Sequence, residues 1–308
     1  MTPKRFFGKV HQDPGEALAK GSREVMASIW EEYLAAILQV SADSGRYRIL
    51  RRQLEDAAGF KEVSENWNTL PLPARGAAWR RLMTAAQEKC EATKDLCSRC
   101  GECCQSASPT LLVQDLPLFQ QEILTWNDVY TLRREELVSN RSGRVEPLKG
   151  ERLKLREIPG SRQCWFFQPA HNSCRIYEQR PEQCRRQNCW SEPLPPPEED
   201  QLLTRQHLFA GVPEIWELIG QHQERCDYSE VARALAEVGA GREEAGEALF
   251  EALHFDHYLR RLLIDDWELT PAATELLLGR PVTEFLKGQG VDAILTPAGV
   301  FKLEPRQD

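Results

Sequence analysis

The residues whose type and spacing could do chemistry are cysteines. Eight of the ten cysteines fall between positions 97 and 189, and the stretch CSRCGECC alone holds four of them in eight residues. The eight are Cys97, Cys100, Cys103, Cys104, Cys164, Cys174, Cys184 and Cys189. Thiols at this density have three uses in proteins: a disulfide framework, a metal site or a redox-active thiol.

The spacing of these cysteines suits metal ligation. They follow the pattern C-x2-C-x2-C-C and, after a gap of 59 residues, C-x9-C-x9-C-x4-C. Two residues between cysteines let a tight turn aim both sulfurs at one ion, and Gly101 relaxes the backbone between the second and third thiols. The same repeated spacing brings thiolates to the corners of an iron–sulfur cluster.

The adjacent pair Cys103 and Cys104 leaves two arrangements open. In an extended segment neighbouring side chains point to opposite faces, so the two thiols would serve two ligand sets. Alternatively, one of them is a ligand while the other packs behind it. Because a metal takes about four thiolates, the eight cysteines allow two tetrathiolate sites or one cluster with spare thiols.

Composition narrows the choice of chemistry. The N-terminal residues lack the apolar run of a secretory signal, and no stretch of about 18 apolar residues occurs, so we expect a cytoplasmic protein without a membrane span. Thiols stay reduced in that compartment, which favours metal or redox chemistry over disulfides. The net charge of −8 and the pI of about 5.5 argue against a nucleic-acid partner. Four arginines among the later cysteines would stabilise thiolates.

Around the cysteines the sequence predicts helices. Apolar residues recur at helical steps before and after the cysteine-rich stretch, and VDAILTPAGVFKLEP alternates around a turn as a β-hairpin does. We therefore predict a mostly α fold, with helical flanks around a small irregular cysteine-rich module and a short C-terminal hairpin. The predicted regions are 1–94 helical, 95–190 metal-binding, 191–200 a proline-rich connector and 201–308 helical with the hairpin at its end.

Two local patterns lie inside the module. In LTWNDVYTLRREEL, Thr125 can cap a helix, with Asp128 three residues on. The stretch RVEPLKGERLKLREI alternates and predicts a short strand or hairpin.

The cysteine pattern resembles the YkgJ family of cysteine-cluster proteins, a zinc- or iron-chelating domain. Besides CSRCGECC, the resemblance rests on the later cysteines and on Ile176, Tyr177, Arg180 and Pro181, which match the family's IY..RP..C segment. It covers roughly residues 95–190 and implies that the eight cysteines hold zinc or iron. Flagellin lysine methylases are similar in this cluster, which implies an iron–sulfur cluster used in methyl transfer. Their other regions are not seen in this chain.

The remaining candidates have ordinary interpretations. Cys90 and Cys226 lie outside the pattern and are expected to be buried or free thiols. His171 is expected to face solvent, and His254 and His257 to be ordinary helix residues. No dinucleotide-binding loop, P-loop or GxSxG elbow is present, so no catalytic residue is assigned.

The sequence therefore predicts a metal-binding protein. An iron–sulfur cluster is favoured over zinc, with a role in redox or group-transfer chemistry and a protein or small-molecule partner of unspecified kind. The alternatives are a structural zinc module that organises a helical protein-interaction scaffold, and a metal-handling protein with exchangeable thiolates.

Overall fold

A computed structural model describes residues 15–93, 96–139, 144–187, 195–242 and 244–306. The described residues are mostly helical, with short antiparallel strand pairs, which confirms the predicted fold class. No helix among them is both long enough and apolar enough to cross a membrane.

The chain divides into two compact units. The first comprises residues 1–102, 168–173 and 185–195, and the second comprises 103–167, 174–184 and 196–308. The four regions drawn from the sequence stay a prediction.

Helices build the first unit, as the sequence predicted for the region before the cysteine-rich stretch. Their bounds are α1 Gly15–Lys20, α2 Arg23–Leu38, α3 Gly45–Glu55, α4 Ala58–Asn66 and α5 Leu72–Thr93. The hydroxyl of Ser44 caps α3 by accepting the Tyr47 N–H, while Pro71 precedes α5, where a proline interrupts nothing.

Aromatic side chains fill the core of the first unit. Trp30, Trp67 and Trp79 are 5 % exposed or less, and Trp30 meets Trp79 edge-on at 6.0 Å between ring centroids. Val25, Ile29, Leu34, Ile37 and Leu38 recur at three- and four-residue steps and predict an apolar stripe along α2, which is wrong at Val25, because that side chain is 39 % exposed. The neighbouring Met26 is buried instead, because it and Trp30 lie one turn apart on the face that meets the other helices.

The second unit mixes short strands with helices. Its helices are α6 Glu102–Ser106, α7 Leu116–Gln120, α8 Glu182–Arg186, α9 Arg205–Phe209, α10 Pro213–Arg225, α11 Tyr228–Gly239, α12 Glu244–Asp265, α13 Pro271–Leu278 and α14 Val282–Gly288. Its strands are β1 Val129–Leu132, β2 Leu137–Ser139, β3 Val145–Pro147, β4 Arg152–Leu155, β5 Phe167–Gln168, β6 Ser173–Cys174, β7 Val291–Leu295 and β8 Phe301–Pro305. Both α6 and the β5–β6 pair lie where the chain passes between the two units.

The helix predicted to follow Thr125 was wrong. Thr125 and Asp128 do form a capping box, but it closes a single 3₁₀ turn, and β1 begins at once with Val129. The cap is a local signal, whereas β1 pairs antiparallel with β4, from Val129 opposite Leu155 to Leu132 opposite Arg152. The β-branched and aromatic residues of VYTL suit that pairing, which overrides the cap.

The segment RVEPLKGERLKLREI, predicted as a short strand or hairpin, does form strands, but its two strands do not pair with each other, so the hairpin alternative was wrong. β3 pairs with β2, and β4 pairs with β1, so the segment contributes one strand to each of two hairpin-like sheets. The C-terminal hairpin is confirmed: β7 and β8 pair antiparallel, from Val291 opposite Pro305 to Leu295 opposite Phe301.

The C-terminal carbonyls of helix α13 are held by one side chain from β1 and one from α9. The hydroxyl of Thr131 donates to the carbonyl of Leu276 at 2.6 Å, and the buried guanidinium of Arg205 donates to that of Leu277 at 2.6 Å. These carbonyls have no partner inside their own helix, and cations favour the C-terminal end of the helix dipole. The contacts fix the core on which the cysteine-bearing loops rest.

Candidate metal centre

Cys97 and Cys100 lie in a loop of the first unit. The backbone N–H of Arg99 donates to Cys97 Sγ at 3.4 Å, the hydrogen bond expected of a turn built around a thiolate. Gly101 has φ +80°, which confirms that this turn uses a glycine's conformational freedom. The carboxylate of Glu102 accepts the N–H of Gly45 and so ties the loop to the start of α3.

Cys103 and Cys104 lie on α6, so the first of the two arrangements left open by the sequence, which places them in an extended segment, does not hold. Their sulfurs are not on opposite faces: the two Sγ atoms lie 3.9 Å apart. Cys103 is exposed, and Cys104 is half-buried against the core of the second unit. Both thiols therefore face one region of the second unit.

Cys164 and Cys174 lie at the two ends of one hairpin. Cys164 precedes β5 and Cys174 ends β6, and the N–H of Cys164 donates to the carbonyl of Cys104 at 2.7 Å. Each sulfur accepts a backbone N–H from two residues further on, from Phe166 and from Ile176, and this bond lowers its pKa against the effect of burial. A hydrogen bond to sulfur favours the charged form that a metal requires.

Cys184 lies on α8, and a distant carboxylate positions that helix. Pro181 is buried and its carbonyl accepts the N–H of Cys184 at 2.9 Å, as expected for a proline that fixes the turn into the helix. Asp115, 3 % exposed, accepts the N–H of Glu182 at 2.7 Å and the N–H of Leu112 at 2.8 Å. Asp115 thus acts as an N-cap supplied from outside the helix.

Five thiols of the second unit lie close enough to shift one another's pKa. The bond with Cys103 and burial raise the pKa of Cys104 far above its ordinary value, and Cys184 and Cys164 add to the shift. Burial raises the pKa of Cys164 to about 11, and Cys174 adds to that shift. Burial, followed by Cys164, Cys103 and Cys174, also raises the pKa of Cys184 well above its ordinary value. Thiolates here would repel one another, so a cation is needed to hold them deprotonated.

Aromatic side chains cover one side of this thiol cluster. Phe166 and Phe167 are buried in the same core as Cys164, whereas Trp165 is 43 % exposed. The guanidinium of Arg175 lies over Phe166 at 5.0 Å and over Trp165 at 5.6 Å. One side of the cluster is thereby apolar, and its outer edge carries a cation.

The eight predicted ligands thus fall into three groups. Five belong to the second unit and lie together, Cys97 and Cys100 belong to the first unit, and Cys189 lies outside the described residues. The structure records no disulfide among the described cysteines. That the eight bind metal stays a prediction.

Residues 96–207 match a family model described as "CxxCxxCC: Putative zinc- or iron-chelating domain". The resemblance in the cysteine pattern is thereby confirmed. The match indicates that this region, the CxxCxxCC domain, chelates zinc or iron. Comparisons with curated proteins and with solved structures gave no significant match.

Three histidines with an expectation from the sequence, His171, His254 and His257, are where they were expected. His171 ends a 3₁₀ turn within the CxxCxxCC domain and is exposed. His254 and His257 are exposed on α12, and both pack edge-on against Phe301 at ring-centroid distances of 5.1 and 6.1 Å. This packing against Phe301 accounts for the positions of both rings.

A second cluster was not foreseen. His222, Cys226 and Asp256 are all buried, and their possible ligand atoms lie within 4.8 Å of one another. His222 Nε2 lies 2.7 Å from one oxygen of Asp256, which also accepts from Arg260, and the other oxygen accepts the N–H of Val282. The carboxylate is therefore already satisfied by the protein, and its guanidinium neighbour opposes a second cation. The sequence offered one signal for this cluster, the four-residue spacing of His222 and Cys226 near the end of α10.

Proposed function

We propose that the CxxCxxCC domain holds an iron–sulfur cluster through cysteine thiolates and acts in redox or group-transfer chemistry. The observation that carries the proposal is the convergence of five thiols from three separate segments, α6, the β5–β6 hairpin and α8, at the edge of one apolar core. Three segments far apart in sequence have no packing reason to present sulfur to the same place. A thiolate-binding inorganic centre supplies one.

The ligands of the proposed centre come first from these five thiols. They are Cys103, Cys104, Cys164, Cys174 and Cys184, one more than a cubane cluster needs. The sequence prediction adds Cys97, Cys100 and Cys189, whose contributions a series of single serine variants would rank. The N–H groups of Phe166 and Ile176 donate hydrogen bonds to the sulfurs of Cys164 and Cys174, as backbone donors do around the thiolates of cluster sites.

The surroundings favour a cluster that exchanges electrons. When bound, an iron–sulfur cluster supplies one-electron chemistry, with a potential set by hydrogen bonds to sulfur and by exposure. Here buried Phe166 and Cys164 keep water from one side, while exposed Cys103 leaves an edge at which a partner could approach. Arg175 at that surface would attract an anionic partner or substrate.

Anaerobic purification followed by elemental analysis tests the proposal. We expect iron and acid-labile sulfide in about equal amounts, together with broad absorption near about 400 nm that bleaches on reduction. In the Cys184→Ala variant both should fall by more than half, whereas Cys226→Ala, which changes a buried thiol outside the domain, should keep them. Iron without sulfide, or a chain that carries no metal, would contradict the proposal.

Zinc is the second candidate, because the matched family is described as chelating zinc or iron. Four of the five thiols would close a tetrahedral site that organises the helices for protein contact. Stoichiometric zinc without sulfide, in a colourless protein that resists mild chelators, would establish this alternative and exclude the cluster.

A further inference from the structure

The turn that carries Cys97 and Cys100 is anchored to a helix of the first unit. Gly45, the first residue of α3, donates its N–H to one carboxylate oxygen of Glu102, and the other oxygen lies 4.0 Å from Cys100 Sγ. The N–H groups in the first turn of a helix have no acceptor within the helix, and negative charge is favourable at that end. The Glu102 side chain therefore contacts both the start of α3 and a predicted metal ligand.

The contact between α3 and the cysteine turn is a close fit. A Cβ added to Gly45 would lie 3.0 Å from the Cβ of Cys100 and 3.1 Å from a carboxylate oxygen of Glu102. Both distances are shorter than ordinary van der Waals contact, so a larger residue at position 45 would displace one of these side chains. Glycine is the residue that lets the helix backbone come this near to the turn.

Asn172 holds the same turn from another side. Arg99 lies between the two cysteines and has φ +56°, a left-handed conformation that is strained for a residue with a side chain. Such strain persists where the surroundings fix the backbone, and here the side-chain amide of Asn172 donates to the Arg99 carbonyl at 2.5 Å. The N–H of Arg99 in turn donates to Cys97 Sγ at 3.4 Å. All these residues belong to the first unit.

We propose that the first unit holds Cys97 and Cys100 as a preformed pair of metal ligands, with Glu102 as the positioning residue for Cys100. The inference rests on the proposed function, because it requires that cysteines of the CxxCxxCC domain bind metal. It adds that hydrogen bonds of the chain set the turn before the metal arrives. Pre-organisation of this kind raises affinity, since less of the site remains to be ordered on binding.

Alkylation of the native protein tests the position of each thiol. The full chain, purified anaerobically with its metal, is treated with iodoacetamide, and mass spectrometry of the peptides gives the rate at each cysteine. A thiolate bound to metal is protected from the reagent. In Glu102→Ala we expect alkylation of Cys97 and Cys100 to be about tenfold faster, as the loss of one hydrogen bond to a charged group allows, with unchanged rates at Cys164 and Cys174.

Two further variants separate positioning from a general loss of structure. Glu102→Gln keeps an acceptor oxygen for the N–H of Gly45 and should retain the protection. Gly45→Ala places a better helix former in α3 but crowds Cys100, so we expect faster alkylation of Cys100 with no loss of helix content by circular dichroism. A contact that only supported the helix would not separate these two measurements.

The control and the reserve variant come from the same unit. Glu88→Ala removes an exposed glutamate of α5 and should match the wild type at every cysteine. Thermal unfolding identifies a variant that fails to fold. If Glu102→Ala is such a variant, Asn172→Asp takes its place, because it removes the donor to the Arg99 carbonyl while keeping a residue type that tolerates the left-handed conformation of position 172.

Unchanged alkylation of Cys97 and Cys100 in a folded Glu102→Ala protein would overturn the proposal. Equal loss of protection in Glu102→Gln would overturn it as well, because the hydrogen bond would not be the cause. The same holds if both thiols react freely in a wild-type protein whose Cys164 is protected, since the pair would not be ligands. Reaction at every cysteine in a chain without metal would contradict the proposed function itself, and this inference with it.

Discussion

Two cysteine-containing clusters lie in the second unit, and they differ in what surrounds the sulfur. The neighbours of Cys104, Cys164 and Cys184 are other thiols, each of which raises the pKa of the next. The neighbours of Cys226 are a carboxylate and guanidinium groups, which already pair with one another. The thiols of the first cluster need a bound cation to be held deprotonated, whereas the carboxylate of the second cluster already has a cationic partner in the chain.

The difference shows that proximity of ligand-type atoms is not enough to identify a metal site. The possible ligand atoms of His222, Cys226 and Asp256 lie within 4.8 Å of one another. Yet both oxygens of Asp256 accept hydrogen bonds from the protein, and Arg260 supplies the countercharge. A cluster whose ligand-type atoms already have hydrogen-bond and charge partners in the chain stabilises the fold. A cluster whose thiolates would repel one another is a candidate metal site.

The largest expected effect comes from removing a thiol of the first cluster. In Cys184→Ala or Cys103→Ser we expect the metal content per chain to fall by more than half and the melting temperature to drop, because metal-binding energy is folding energy in such sites. Elemental analysis and thermal unfolding measure the two quantities.

Cys226→Ala serves as the control for both variants. It removes a fully buried thiol, which costs some stability, but it should leave the metal content unchanged. If Cys226→Ala lost metal and Cys184→Ala kept it, the assignment of the two clusters would be reversed.

The next effect probes the second cluster through its carboxylate. Asp256→Asn keeps the shape but leaves the buried guanidinium of Arg260 without its countercharge. We expect the free energy of unfolding to fall by about 3 to 5 kcal/mol, the usual consequence of breaking a buried ion pair, with no change in metal content of the folded protein. Urea unfolding provides the measurement. Glu230→Gln, in an exposed pair with Arg233, should change little.

A pH dependence follows from the same cluster. Burial lowers the pKa of His222 to about 4, so between pH 6.5 and 4 the unfolded chain binds a proton that the folded chain does not. Stability should therefore fall with acidification across that window, by up to about 1.4 kcal/mol per pH unit. Burial raises the pKa of Asp256, but Arg260 and His222 outweigh that effect and hold it well below its usual range, so Asp256 does not titrate in the folded chain across that window.

The comparison with His222→Gln isolates this effect. The variant lacks the titrating ring, so its unfolding free energy should decline less steeply than that of the wild type between pH 6.5 and 4. Any loss of metal in acid is common to both proteins and cancels in the difference. Parallel pH profiles would show that His222 does not carry the dependence.

The sequence predicted what depends on local periodicity and spacing. Trp79, Leu82 and Ala86 recur at helical steps and are buried on α5, and the C-x2-C spacing found the CxxCxxCC domain. Val25 was misplaced because α2 could present either of two adjacent stripes, and only packing against the other helices selects one.

What the sequence missed depends on partners far along the chain. Asp115 holds the N–H of Glu182 across 67 residues, and His222 meets Asp256 across 34. No spacing rule relates such residues, and their roles exist only once the fold brings them together. The strand after Thr125 was missed for the same reason, since Leu155 pairs with its first residue.

The smallest effect concerns the support that the chain gives to one thiol. Asp115→Ala removes the acceptor of the Glu182 N–H at the start of α8 and should lower the unfolding free energy by about 1 to 2 kcal/mol. Because α8 carries Cys184, its fraying should speed metal release to a chelator several-fold, followed by absorbance of the chelate. Asp115→Asn keeps one acceptor oxygen and should lie nearer the wild type. Release at the wild-type rate in a destabilised Asp115→Ala protein would mean that the metal, and not the cap, positions Cys184. The arrangement of the thiols would then depend on the metal more than on the helix that carries Cys184.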